Sequence, residues 1–73
     1  MPPLDILADA LNRCQNEDVR TPDVMAALDE LAKTARVQWP FDQFRRALDY
    51  ERGDARWQNA NASLNAIRLN VRR

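Results

Sequence analysis

Few side chains in this sequence could do covalent chemistry. There is no histidine, the side chain most used for general acid–base catalysis. The single cysteine, Cys14, has no imidazole to activate it as a nucleophile. Carboxylates do occur in pairs: Asp5 and Asp9 are one helical turn apart, and Glu17-Asp18 and Asp29-Glu30 are adjacent. Such pairs suit proton transfer or a hard cation, but their simpler role is solvated surface and charge matching at helix ends. There is no glycine-rich phosphate loop, Walker pattern or Cys/His zinc spacing. A metal site would have to be built from carboxylates and one thiol. The sequence therefore predicts no enzyme, no cofactor, no metal and no small-molecule substrate.

What remains is recognition chemistry. Ten of the eleven cations are arginine, whose planar fork suits carboxylate and phosphate. A GC-rich coding sequence would give the same bias without any recognition role. All five aromatic residues lie between positions 39 and 57, and three of them fall in Trp39-Pro40-Phe41-Asp42-Gln43-Phe44. Tryptophan near arginine is the composition of interface anchors. The candidate partner-binding residues are therefore Trp39, Arg45, Arg46, Trp57, Arg68 and Arg72.

These residues must be positioned by helices. One glycine, many Ala and Leu and few β-branched residues argue against a sheet. The predicted fold class is all-α: a small bundle of three to four helices in one domain, at about 3–15, 21–36, 40–52 and 54–72. In the first, Pro2-Pro3 leads into an apolar stripe at Leu4, Leu7, Ala8, Leu11 and Cys14, which places the thiol on the buried face. In the second, Thr21 is a good N-cap and Pro22 fits the first helical position, where its missing N–H costs nothing. In the third, the residue before Pro40 is pushed out of the helical region, so Trp39 is expected in a corner. Phe41, Phe44, Ala47 and Leu48 form the inner stripe, and Arg45, Arg46, Asp49 and Glu51 face outward.

Gly53-Asp54 decides whether the last two helices are separate or one kinked helix. At about 100° per residue, Phe41, Phe44, Leu48 and Ala55 cluster roughly 160° away from Trp57, Ala60, Leu64, Ile67 and Val71. A straight helix would carry two opposed apolar faces, so a break is expected. Gly53 would be the C′ residue of the third helix and Asp54 the N-cap of the fourth. The fourth has heptad spacing over two repeats, and its Asn59, Asn61, Asn65 and Asn70 weaken it in isolation.

Charge and size then bear on partners. Eleven bases cancel eleven acids, but residues 1–36 carry seven acids against four bases and residues 37–73 the reverse. A 73-residue chain buries only about 60% of its unfolded surface, and this one can form no internal disulfide. Oligomerisation is the remaining support for so small a core. With no apolar run longer than the five residues Val24–Leu28, no secretory pattern and one cysteine, a cytoplasmic, non-membrane protein is expected. The expected function is protein–protein contact, most simply as a homodimer in which acidic and basic halves meet. The alternative is a nucleic-acid-binding regulator. Its second and third helices would form a helix-turn-helix presenting Arg45 and Arg46, with Arg68, Arg72 and Arg73 on phosphate.

Overall fold

The computed structural model describes residues 1–71, and every regular element in them is a helix. The four are α1 (Pro3–Arg13), α2 (Pro22–Ala32), α3 (Trp39–Tyr50) and α4 (Gly53–Val71). The break between the third and fourth helices is present. Glu51 is extended (ψ 164°), and its N–H closes α3 on the Ala47 carbonyl at 3.2 Å. Gly53 has φ +53°, the left-handed region that disfavours a Cβ.

The N-terminal signal of α2 acts as expected and the C-terminal signals do not. Thr21 Oγ1 accepts the Val24 N–H at 3.3 Å, with Pro22 at the first helical position. The second helix stops at Ala32, four residues before the expected end. There the Thr34 and Ala35 N–H groups bond three residues back, and Gln38 Nε2 donates to the Ala32 carbonyl at 3.0 Å. Those bonds satisfy last-turn carbonyls without further α-helix. The first helix stops at Arg13 for the same reason, since the Cys14 and Asn16 N–H groups also bond three residues back. Two expectations at the Gly53 corner need correction. Gly53 starts α4 rather than ending α3, because the Arg52 carbonyl already accepts the Arg56 N–H at 3.2 Å. Asp54 does not cap; its carboxylate accepts from Gln15 Nε2. Trp39 is also the first residue of α3 rather than a corner before it, since the Gln38 carbonyl accepts the Phe41 and Asp42 N–H groups.

One core serves the chain. Leu7, Cys14, Leu28, Phe41, Phe44, Leu64 and Ile67 are each 0% exposed, so every helix or its end contributes. Ala55, expected beside the phenylalanines, is exposed, because the break at residues 51–53 turns it out of that stripe. Buried Ser63 is satisfied within its own helix by the Ala60 carbonyl at 2.9 Å. The principal packed pairs are α3 with α4, α1 with α2, and α1 with α4. The link Glu51-Arg52 sends α4 back along α3. Its 19 residues span about 28 Å, most of the 32 Å long axis. No helix among the described residues is long and apolar enough to cross a membrane.

Candidate functional site: the outer face of α3

The third helix has two faces of different kinds. Phe41, Phe44, Ala47 and Leu48 are buried, and Pro40 is buried with them. At about 100° per residue, Trp39, Gln43, Arg46 and Tyr50 fall within about 60° of one another on the other side. Trp39 is 56% exposed and Tyr50 78% exposed, with Gln43 half-buried and Arg46 exposed. The chain thus leaves two of its five aromatic rings on one outward stripe.

The corner before this stripe is held. Gln38 is tied through its side chain to the end of α2 and through its carbonyl to the first turn of α3. On the other side of Trp39, the ring of Pro40 is in the core. Both neighbours of Trp39 are therefore fixed while its indole stands in water. Val37, 39% exposed, adds apolar surface nearby.

The other candidate residues divide by environment. Arg45, expected to face outward, is half-buried and bonds the Asp29 carboxylate of α2, with Asp42 at 3.8 Å. Arg46 and Arg68 are exposed and make no ion pair among the described residues. Trp57 is half-buried against the core and is not a free-standing ring. Because α4 runs back along α3 and is the longer helix, Arg68 and the exposed Leu69 lie toward the pole at which α3 begins. Arg72 lies outside the described residues.

Two arginines that the sequence reading left among the other cations organise the opposite pole. Arg56 donates through Nε to the Glu51 carbonyl at 2.9 Å, and through Nη1 to the Cys14 and Glu17 carbonyls at 3.1 and 3.4 Å. It thereby ties the end of α3, the end of α1 and the connection to α2. Arg20 grips Asp18 through Nε and Nη2, both at 2.9 Å, and reaches Asp49 of α3 at 3.4 Å. The Arg20 side chain and then its backbone N–H hold the Asp18 carboxyl well below its ordinary range. Arg20 is raised in turn, chiefly by its bond to Asp18. The Arg20–Asp18 and Arg56–Glu51 bonds are local, whereas Arg20 to Asp49 and Arg56 to Cys14 and Glu17 join residues brought together only by the fold. Tyr50 was also missed, although its spacing from Trp39, Gln43 and Arg46 is visible in the sequence.

Elsewhere the chemistry is quiet. Burial pushes the Cys14 thiol up, against a smaller opposing pull from the Arg56 charge, so it stays protonated at neutral pH. A groove of about 470 Å³ between α1 and α2 includes Asp9 and Asp23, but Arg13 occupies Asp9 at 2.8 Å. Among the described residues no three metal-ligating side chains converge. Comparison with protein-family profiles, curated proteins and solved structures returned no match.

Proposed function

We propose that this protein works by protein–protein contact, associating with itself through the outer face of α3. The observation that carries the reading is the pair of exposed rings, Trp39 and Tyr50, on one stripe of a helix whose other face is already packed. Large rings supply most of the energy at interfaces, and arginine is their usual companion. Trp39 is also presented by a backbone fixed on both sides, so little order is lost when it is covered. The stripe supplies two aromatic anchors and a cation, and nothing in it suits covalent chemistry.

Sedimentation equilibrium from micromolar to millimolar concentration tests this. A monomer–dimer equilibrium is expected, and Trp39→Ala or Tyr50→Ala should shift it toward monomer without loss of helicity. A chain that stays monomeric throughout, or a dimer indifferent to both substitutions, would overturn the proposal. Nucleic-acid binding through α2 and α3 draws no comparable support. Arg45 is occupied by Asp29, and α2 and α3 are not a principal packed pair.

A further inference from the structure

Building on that self-association, we infer that two copies pair their α3 helices antiparallel about a two-fold axis. Trp39 of each copy then packs on Tyr50 of the other, and Arg46 of each meets Asp42 of the other. An isologous contact requires a surface on which residue i meets j while j meets i. The stripe has that property. Turned end over end, position 39 falls opposite 50 and position 43 opposite 46, so each ring meets a ring and Gln43 meets Arg46. A parallel pairing would instead set Arg46 against Arg46 at the centre.

Charge points the same way. Asp42 lies about 40° around the helix from Arg46. In the antiparallel register it stands about one residue beyond Arg46 of the second copy, on the same side of the seam. Arg46 has no ion pair among the described residues. The carboxylate of Asp42 is 71% exposed and has only the 3.8 Å approach of Arg45. Each therefore has capacity for the other.

The area sets the strength. Trp39 is 56% and Tyr50 78% exposed, and fully buried rings of this class remove about 150–250 Å² each. The four rings of a pair would bury on the order of 500 Å². Gln43, Arg46 and Asp42 bring the contact toward the low end of specific interfaces, about 1,200 Å². The expected dimer is micromolar or weaker, exchanging with folded monomer.

Two measurements decide the register. The first exchanges charge. Arg46→Asp alone sets Asp against Asp42, and Asp42→Arg alone sets Arg against Arg46, so each should weaken association about tenfold or more. An equimolar mixture of the two variants should recover it, because both cross-pairs are then opposite in sign. Asp42→Asn, which adds no cation at the N-terminus of α3, provides a milder version should Asp42→Arg reduce helicity. The second measures orientation with nitroxides at Arg52→Cys in a Cys14→Ala background. Antiparallel pairing sets the two labels more than about 20 Å apart, whereas parallel pairing brings them within about 15 Å. A dimer sensitive to Trp39→Ala but not rescued by the mixture, or with the short label distance, overturns the register and leaves self-association standing. Absence of any dimer overturns both.

Discussion

Replacing Arg56 with alanine should be the most damaging change available at a charged residue of this protein. The guanidinium holds three carbonyls, at 2.9, 3.1 and 3.4 Å, from segments far apart in sequence. A hydrogen bond from a charged donor contributes about 1.5–3 kcal/mol. Only two of these three are short, and the side chain is half-buried, so water can replace part of what is lost. Arg56 also sits in the first turns of α4, where a cation opposes the helix dipole by a few tenths of a kcal/mol. The net loss for Arg56→Ala is therefore about 2 kcal/mol. A chain of 73 residues has a total stability of about 4–11 kcal/mol. At about 4–8 °C per kcal/mol, the melting temperature should fall by about 8–16 °C. Thermal and urea melts followed by far-ultraviolet circular dichroism measure this directly. Arg56→Lys, which keeps the charge but not the fork, should recover less than half of the loss. A loss below about 0.5 kcal/mol for Arg56→Ala, or full recovery by Lys, would refute the reasoning.

Three further outcomes follow from the same structure. Gly53→Ala meets no neighbouring atom within 4 Å, so its cost is that of the backbone alone at φ +53°, about 1–2 kcal/mol; Gly53→Asn should cost less, and equal urea midpoints for both would contradict this. The Asp18 carboxyl is held below its ordinary value of 3.8, so its contribution is present above that value and fades as the pH falls below it; Asp18→Asn should flatten that part of the acid stability curve. The Cys14 thiol is held above its ordinary value of 9.0, so its contribution is present below pH 9 and fades above it; thiol reagents at neutral pH should label Cys14 only at the rate of unfolding.

Helix starts were legible in the sequence because their causes are local. Thr21-Pro22 needs nothing beyond its own first turn, and the opposed stripes on either side of Gly53 require a break wherever the chain goes afterwards. Helix ends were not legible at Ala32, since its carbonyl is shared by the Ala35 N–H and the Gln38 side chain, six residues on. Asp54 looked like a cap from its neighbours alone, but its carboxylate meets Gln15 across the fold. Arg45 and Arg56 carry no local mark of the distant groups they bind, and Arg20 has Asp18 two residues before it but nothing local that points to Asp49. In the site, Trp39 stood out by type, whereas Tyr50 shows itself only once α3 is known to bury its opposite face. The split of charge between the two halves of the chain also reads differently after folding. Part of it is spent inside the molecule, where Arg45 of the basic half meets Asp29 of the acidic half.

Size alone predicts that this chain needs a partner to complete its core, yet one copy buries Phe41, Phe44, Leu7, Leu28, Leu64 and Ile67 completely. No buried side-chain polar atom among the described residues lacks a hydrogen-bond partner. In the proposed dimer, association would therefore not be a condition of folding; it would concern residues that one folded copy leaves in water. That separates two kinds of dimer by experiment. In an obligate dimer the melting temperature falls steadily on dilution, because unfolding and dissociation are one event. Here it should be constant at concentrations below the dimer dissociation constant, and above that constant it should rise with concentration as mass action requires. Melts from about 1 µM to several hundred µM span the micromolar range in which so small a contact should dissociate. Trp39→Ala should abolish the rise and leave the low-concentration plateau within about 0.5 kcal/mol, as expected of a surface site. A melting temperature that keeps falling with dilution, or a plateau lowered substantially by Trp39→Ala, would mean that the ring supports the fold itself.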